Sequence, residues 1–507
     1  MLKITYITHS SILIETEDAK LISDPWFFGS AYLNHWHVFP KPIDTNYAKD
    51  ITHVIITHGH EDHCHFPTLG QLNKKAAVFL PYTWLQDTKD AILSIGFKSV
   101  YELDSYKTVS IGMHLKLTFV VNGLDSIFIL EYRGKVYLNL NDAFNATHLK
   151  FLKLIAQKVN AHWPKIDYLM SGVGGAGYFP NAIHSPFKND LEIGVLREQF
   201  LMKLFCEFVV AFKPKVAIPF LPGFVLIQKD KLWINHIRQA RSLIDKYYSE
   251  LKTEHQVAFW HLYPGDYISE DVWQKTSPYY NLVQNDEWGN FGETQYATEI
   301  STETDAKLEP NTTTIEELCT QLNTLFPKSC KGIKIKVLSK LNFSIKLKEL
   351  PDEIIHVCFA NGKLIAYSKL QANSSPNLII RTNCRNLLYS INELWGGDVF
   401  FIGYGADLDI LNNDCIKDNL DILSLRVLYI FPTALQNLRR QPWRAWRYFY
   451  HNKMHASLAL KQKLFSKEKI NALPFNERSH WIHTSKCETC LVCDLPLLNN
   501  SLAERLK

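Results

Sequence analysis

Three histidines and one aspartate stand within a single short run of the sequence. Residues 57–64 read Thr-His-Gly-His-Glu-Asp-His-Cys, which gives the spacing His-x-His-x-Asp-His. Imidazole and carboxylate groups bind zinc, iron or manganese, and the motif alone does not choose among these metals. We therefore predict that His58, His60, Asp62 and His63 form a metal site.

The neighbouring residues predict how this site is held. Residues 54–56 are apolar and β-branched, as in a buried strand, and Gly59 permits a tight turn directly after them. A strand that ends in such a turn directs the first two histidines at one metal, whereas the aspartate and the last histidine serve a second metal or a metal-bound water. The alternative is a histidine-rich surface loop, which the preceding strand disfavours.

Three further segments accompany the motif. Alternating apolar residues predict short strands over 2–6 and 12–14, with His9 between them. A Ser-Asp-Pro-Trp turn then contains Asp24, and residues 128–142 read as a hairpin, a turn and a strand that ends at Asp142. Together with the motif, these segments resemble the metallo-β-lactamase superfamily. The fold class that this implies is α/β, an αββα sandwich.

The resemblance also implies roles for individual residues. An aspartate at the position of Asp142 bridges or binds the metals in the superfamily. His9 and Asp24 lie on turns that are expected near the site, where they position substrate or order the metal ligands. If the chemistry is hydrolysis, Asp62 orients a metal-bound hydroxide.

Within the superfamily, the sequence is similar to the cytidine-monophosphate-N-acetylneuraminate hydroxylase family. The similarity extends from residue 1 to about residue 280 and continues weakly to about residue 430. It implies an oxygenase with non-haem iron and a small-molecule substrate such as a nucleotide sugar. The segments that carry it are the glycine-rich run 170–180, residues 213–220, the Pro-Gly pair 222–223 and residues 263–266.

Two positions depart from the usual superfamily ligands. Residues 120–125 contain no histidine where a third one would bind the first metal, and Leu221 stands where a later one would bind the second. Either other residues substitute, or one metal is held with open positions, as a 2-His-1-carboxylate site for a non-haem Fe(II) oxygenase requires. Loss of the metal is the third alternative. The available substitutes are Asp125, His148, His184 and His261.

The supply of electrons is a separate question for an oxygenase. The hydroxylase family carries a Rieske-type iron–sulfur domain, and we expect that domain to be absent because the first predicted strand begins at once. A separate electron-transfer partner is then needed. Alternatively, Cys487, Cys490 and Cys493 bind an iron–sulfur cluster or structural zinc, with His480 or His483 as a further ligand. Three reduced thiols without metal are the remaining interpretation.

Composition indicates a globular enzyme of several domains. The hydrophobic fraction is 46% and the charged fraction 21%, and the net charge of +4 does not indicate a nucleic-acid binder. Most cysteines are scattered singly, which favours a reducing cytoplasm. There is no leader and no apolar run of about 18 residues, so we expect a cytoplasmic protein without a transmembrane segment.

We predict four regions along the chain. They are a catalytic domain over 1–280, a linker or surface excursion over 281–314, an α+β accessory domain over 315–430, and a basic-aromatic helix with a cysteine-containing tail over 431–507. The strands predicted in the accessory domain are 333–337, 343–347, 354–359, 364–369 and 378–382. Residues 438–450 combine arginine with tryptophan, as nucleic-acid or membrane contacts do. We favour a helix whose aromatic residues pack on the catalytic domain with arginines at the rim.

Three hypotheses for function follow. The first is an iron-dependent oxygenase similar to nucleotide-sugar hydroxylases. The second is a hydrolase that uses iron or zinc to lower the pKa of bound water and cleaves ester or phosphodiester bonds. The third is an inert scaffold or binding protein that keeps the fold, which only the two missing histidines support.

Overall fold

The structure, a computed structural model, divides into two compact units. Unit 1 comprises Met1–Ala176, Met202–Lys307 and Thr433–Leu464, and unit 2 comprises Gly177–Leu201, Leu308–Pro432 and Phe465–Lys507. The residues that the structure describes are 2–84, 87–144, 149–174, 177–184, 189–220, 223–282, 287–303, 314–329, 342–369, 376, 378–393, 396–411, 441–453, 455 and 457.

Two large mixed sheets dominate unit 1. In the described residues, the strands of the first sheet are, in spatial order, Val272–Gln274, Tyr267–Ser269, Lys3–Thr8, Ser11–Glu15, Lys20–Ser23, His53–Ile55, Ala77–Pro81 and Ser99–Leu103. Those of the second sheet are Ala258–Phe259, Val216–Phe220, Tyr168–Gly172, Lys135–Asn141, Asp125–Tyr132, Leu115–Asn122 and Thr108–Ser110. A small additional sheet contains Phe224–Leu226, Trp36–Val38 and Ser30–Ala31.

The first strand shows how these sheets pack. Successive side chains of a strand point to opposite faces of its sheet. Ile4 and Tyr6 therefore share one face, and they belong to a buried cluster with Phe128 of the second sheet. Ile7 faces the other way and is buried with Leu69, which lies in a helix. The two sheets thus pack face to face, and helices cover the outer side of the first.

Helices also accompany the second sheet. The helix Leu149–His162 buries Leu152, Ile155 and Val159, and Asp190–Phe212 begins in unit 2 and ends in unit 1. The predicted αββα sandwich is confirmed. The other described helices of unit 1 are Phe66–Gln71, Asp87–Ser94, Leu243–Glu250, Tyr279–Leu282, Trp288–Gln295, Ala297–Thr302 and Pro442–His451, together with the 3₁₀ helices Asn46–Lys49 and Lys229–His236.

Unit 2 contains a mixed sheet of its own. Its described strands are, in spatial order, Ile183–His184, Ala406–Ile410, Leu378–Thr382, Phe343–Leu347, Leu350–Ala360 and Lys363–Tyr367. The bounds predicted for 343–347 and 378–382 match, whereas the predicted strand 333–337 lies outside the described residues. The helices are Tyr178–Asn181, Ile315–Ser329, Cys384–Asn392 and Gly396–Phe401. None of the described helices in either unit combines the length and apolar character needed to cross a bilayer.

The region predicted as a linker or surface excursion contains regular structure in part of its length. Residues 288–302 form two helices in unit 1. Trp288 and Tyr296 are buried there in an apolar cluster with Phe39. The sequence did not predict this packing, because the buried aromatic residues are few and are separated by polar residues.

The helix Pro442–His451 matches our expectation only in part. Arg444 pairs with Glu102, and Arg447 donates to a carboxylate of the same strand region at 2.7 Å. The outward side carries Trp443, which is 80% exposed, and Trp446, which is 60% exposed. The expectation of buried aromatic residues is therefore wrong for Trp443 and Trp446, whereas Tyr448 of the same helix is buried with Tyr82 and Val121. The paired carboxylate of Glu102 holds Arg444 inward, and the side chain of Arg447 stays 45% exposed at the rim.

Candidate metal centre

The candidate ligands lie at one edge of the sandwich, directly after the ends of strands. Backbone φ is +48° at His9, +39° at Asp24 and +47° at Asn141, so three non-glycine residues near this edge are left-handed. Such conformations are costly and cluster at functional sites. These residues follow strands of the two sheets: His9 follows Lys3–Thr8, Asp24 follows Lys20–Ser23, His58 follows His53–Ile55, and Asp142 follows Lys135–Asn141.

The first ligand group contains His58, His60 and Asp125. The ring nitrogens His58 Nε2 and His60 Nδ1 lie 2.9 Å apart, and one carboxylate oxygen of Asp125 comes within 4.8 Å of the ligand atom of each histidine. Metal–nitrogen bonds of roughly 2 Å place neighbouring ligand atoms roughly 3 Å apart. The two imidazoles therefore face each other at the spacing that a shared cation imposes.

A second set of contacts surrounds Asp62 and His63. Asp62 Oδ2 lies 3.1 Å from His9 Nε2 and 3.3 Å from His63 Nε2, and the same nitrogen of His63 lies 3.5 Å from Asp142 Oδ2. Two further ligand triads result, His9 with Asp62 and His63, and His58 with His63 and Asp142. All of the core residues that we predicted as ligands are thus brought together.

Asp24 contacts residues next to these ligands and one ring nitrogen of His63. Its carboxylate accepts hydrogen bonds from the backbone N–H of Thr57 at 2.8 Å and from the Thr57 hydroxyl at 2.7 Å, and it also accepts from Asn141. The same carboxylate lies 3.3 Å from His63 Nδ1. A carboxylate that engages one ring nitrogen fixes the imidazole so that the other nitrogen faces the metal. Asp24 therefore positions His63.

Two neighbours of the site escaped sequence analysis. The Tyr32 hydroxyl donates to Asp62 Oδ1 at 2.6 Å, and no motif indicated this residue. Gly223 packs so closely on His9 that an added Cβ would lie 2.3 Å from the histidine Cα. Its Pro-Gly pair was a recognisable signal, but the contact with His9 depends on the three-dimensional fold.

Comparison with known proteins agrees with this arrangement. Residues 3–182 match the family model described as beta-lactamase superfamily domain. Over these residues, the chain is similar to the β-lactamase superfamily. That match includes every core ligand that we predicted from the sequence, and it confirms the resemblance on which those predictions partly rested.

Relatives of the superfamily domain include hydroxylases. The chain is 26% identical over 240 residues to the cytidine monophosphate-N-acetylneuraminic acid hydroxylase of Danio rerio, a match covering 44% of this chain and 38% of the relative. It is 25% identical over 211 residues to a Mycobacterium tuberculosis protein named as a Rieske 2Fe-2S iron–sulfur protein, covering 39% of each. The chain thus spans about two fifths of the length of these relatives.

Solved structures with partial likeness include both oxygenases and hydrolases. CmlA, a diiron beta-hydroxylase from Streptomyces venezuelae, has 16% identity and a TM-score of 0.36, covering 53% of this chain and 54% of that one. An isothiocyanate hydrolase from Delia radicum gut bacteria has 13% identity and the same TM-score, covering 53% and 98%. A TM-score of 0.36 is too low to transfer chemistry to this chain.

Burial and charge shift the pKa values of two histidines of this site in opposite directions. Burial, with the neighbouring His63 and His60, lowers the pKa of His58 well below its ordinary value, which keeps a neutral ring available to a metal. Burial opposes protonation of His63, but Asp62 and Asp142 outweigh it and raise the pKa of His63 well above its ordinary value. The carboxylates of buried Asp62 and partly exposed Asp142 therefore favour a positive charge at this place.

The two central carboxylates also differ. Burial favours the neutral form of Asp62, but His63 and then His9 outweigh it and hold the pKa of Asp62 well below its ordinary value. Burial raises the pKa of Asp125 to about 6, and the nearby His60 opposes part of that rise. Of these two carboxylates, Asp125 therefore benefits more from an added cation, because nearby positive charge offsets its burial less.

The substitute ligands proposed from the sequence can now be compared. Asp125 joins the site, whereas His261 lies 3.0 Å from Asp245 and belongs to none of the triads among the described residues. His184 is in unit 2, with both ring nitrogens paired. The donor set therefore fits a metal without the missing histidines. Five positions of interest, His148, Leu221, Cys487, Cys490 and Cys493, lie outside the described residues.

Proposed function

We propose that the chain is a metal-dependent oxygenase with non-haem iron at this site. The observation that carries the proposal is the composition of the converging ligands: each of the three triads contains two histidines and one carboxylate. A 2-His-1-carboxylate set with open positions is typical of non-haem Fe(II) oxygenases. The relatives named as hydroxylases support this reaction type.

The individual residues have distinct tasks in the proposal. His58, His60 and Asp125 hold one metal position, and Asp62 and His63 hold a second. Asp142 lies against the second position through its 3.5 Å approach to His63. Bound iron would supply the capacity to bind and reduce dioxygen. His9 and Tyr32 hold the Asp62 carboxylate from two sides, at 3.1 and 2.6 Å, so that it keeps one orientation during turnover.

A small-molecule substrate completes the proposal. The similarity to a hydroxylase of a nucleotide sugar makes that class the first to assay. Electrons come from a separate protein or from an iron–sulfur cluster at Cys487, Cys490 and Cys493. If those cysteines hold a cluster, anaerobic protein will absorb broadly in the visible range, and Cys490→Ser will bleach it without removing the core metal. A colourless tail with stoichiometric zinc would make its role structural.

The second candidate function is hydrolysis. It is favoured by the fixed orientation of Asp62, because a metalloenzyme of that class needs a carboxylate that orients a metal-bound hydroxide. In this case the metal is zinc or iron, and the substrates are esters or phosphodiesters. An inert scaffold explains less, because it gives no reason for buried histidines and carboxylates to converge.

Metal analysis after anaerobic purification separates these functions. Stoichiometric iron together with oxygen uptake in the presence of a reductant supports the oxygenase. Tightly bound zinc together with hydrolysis of an ester or phosphodiester panel supports the hydrolase and overturns the first proposal. Protein without stoichiometric metal overturns both. The matched control is His261→Ala, which removes a histidine outside the ligand triads and leaves metal content and activity unchanged.

A further inference from the structure

A cavity of about 440 Å³ lies on the outer face of the first sheet of unit 1. Its volume is in the range of small-molecule sites, which is about 300–1,000 Å³. Thr5, Ile7 and Leu13 form part of its lining, and Tyr47 lines it from the 3₁₀ helix Asn46–Lys49. None of the residues assigned to the metal centre lines this cavity.

Strand register explains why these side chains meet. Lys3, Thr5 and Ile7 alternate with the core residues of the same strand and therefore point away from the second sheet. Thr5 pairs with Leu13 of the next strand, and Lys3 pairs with Glu15. Both pairs lie on the outer face of the sheet. The charged pair Lys3 and Glu15 therefore lines the cavity next to the pair Thr5 and Leu13, which offers one hydroxyl and one apolar side chain.

Two buried hydroxyl groups of this cavity have no hydrogen-bond partner among the described residues, namely Thr5 Oγ1 and the Tyr47 hydroxyl. A buried polar group without a partner is unfavourable, so an occupant that hydrogen-bonds both hydroxyls would be stabilised. Burial, with a contribution from the charge of Asp44, raises the pKa of Tyr47, which keeps its hydroxyl protonated as a donor.

Charges of opposite sign stand at different places in the lining. The ammonium groups of Lys3 and Lys20 lie 3.9 and 3.7 Å from the carboxylate of Glu15. These distances are longer than hydrogen bonds, and two cations share one anion, so the lysines can hold a further carboxylate. Asp44 and Asp50 also line the cavity, as exposed carboxylates close in sequence to Tyr47.

We propose that this cavity binds a small zwitterion of the free amino-acid type. The carboxylate of the ligand pairs with Lys3 and Lys20, and its ammonium group pairs with Asp44 and Asp50. The body of the ligand packs on Ile7 and Leu13, and its polar atoms engage the two buried hydroxyls. The site is independent of the metal centre and of the reaction proposed there.

Calorimetric titration of the full chain with each free proteinogenic L-amino acid tests the proposal. We expect saturable binding of at least one of them, and binding that is about tenfold weaker or more for its N-acetyl derivative and for its amide, each of which lacks one charge. Absence of saturable binding across the amino acids overturns the proposal. So does equal binding of the free and the blocked forms.

Paired variants distinguish a ligand site from a structural feature. Thr5→Val and Tyr47→Phe remove the hydroxyls while keeping the side-chain shape, and we expect each to weaken binding about tenfold. Neither should lower the melting temperature of the ligand-free protein, because neither hydroxyl has a partner to lose in the part of the chain that the structure describes. Tyr101→Phe, at a half-exposed tyrosine outside the cavity, is the control and should leave binding unchanged. A lower melting temperature in both variants with unchanged binding would show a structural role.

Discussion

Unit 1 and unit 2 each bring histidine and aspartate together, but in different geometries. In unit 2, His184 Nδ1 lies 2.6 Å from Asp190 and Nε2 lies 2.5 Å from Asp407. The two carboxylates are thus on opposite sides of one ring. In unit 1, ring nitrogens and carboxylate oxygens from several residues approach one another instead. Residue types alone therefore do not define a metal site.

The two clusters differ in how many carboxylates approach a single ring nitrogen. At His184, each ring nitrogen has one carboxylate of its own within 2.6 Å, and this closed ion pair stabilises the fold without needing a cation. At the metal centre, Asp24 lies 3.3 Å from one nitrogen of His63, and Asp62 and Asp142 share the other nitrogen at 3.3 and 3.5 Å. Three carboxylates around one ring carry more negative charge than a single protonated imidazole neutralises, which favours an additional cation there. We therefore expect mutations in unit 1 to change metal content and mutations at His184 to change stability only.

The largest expected effect is the loss of a ligand at the metal centre. His58→Ala or His60→Ala should lower metal affinity and activity by at least ~100-fold, beyond the loss that removal of an outer partner causes. The fold should persist, because the sandwich core does not depend on metal as a small zinc domain does. Elemental analysis and circular dichroism measure the two quantities. Full metal content and activity in both variants would exclude this motif as the site.

Replacement of Asp125 sharpens the comparison further. Asp125→Asn keeps the shape but removes the charge, and we expect metal affinity to fall by roughly 10-fold to 100-fold. Asp125→His replaces the carboxylate by an imidazole, so it should retain metal but shift the preference from iron towards zinc. Competition of the two metals for the purified protein, followed by elemental analysis, measures this preference. Unchanged selectivity in Asp125→His would remove Asp125 from the ligand set.

Sequence analysis could predict the strand-bound ligands but not all of their partners. The motif at 57–64, the turn with Asp24 and the end of the strand at Asp142 each follow local patterns, and the structure places them together. Asp125 was only one of several substitutes, because its approach to His58 depends on how two sheets pack. Tyr32 lies on a loop without periodicity, so its contact with Asp62 has no local signal. The orientation of the helix Pro442–His451 depended likewise on acidic partners distant in sequence.

A pH titration tests the ion pairs that His184 makes with Asp190 and Asp407 in unit 2. Burial opposes protonation of His184, but Asp190 and Asp407 outweigh it and raise its pKa from 6.5 to about 9. Because the pKa of His184 is higher in the folded state, its protonated ring stabilises the fold fully below pH 6.5, the pKa in the unfolded state. This stabilisation is lost as the pH rises through about 9. The shift corresponds to roughly 3 kcal/mol in the free energy of unfolding.

Chemical denaturation of the full chain between pH 6 and pH 10 measures this contribution. The wild-type protein should lose stability across the interval, whereas His184→Gln should lose less, because the titrating group is gone. His114→Gln, at an exposed histidine, is the matched control and should follow the wild type. Parallel pH profiles for all three proteins would contradict the ion-pair assignment. Metal content should be unchanged in His184→Gln, in contrast to the ligand variants of unit 1.

The smallest expected effect concerns the helix Pro442–His451. The Tyr448 hydroxyl donates at 2.9 Å to the carbonyl oxygen of Gly123, in the turn that leads into Asp125. Removing that hydroxyl in Tyr448→Phe should cost about 1 kcal/mol of stability and allow the turn more freedom. Because Asp125 follows two residues later, we expect metal affinity to fall severalfold, less than in Asp125→Asn. Tyr450→Phe alters a tyrosine that is 61% exposed on the same helix, and it should change neither quantity. Reduced stability with unchanged metal affinity in Tyr448→Phe would show that this helix supports the sheet edge without positioning the ligand.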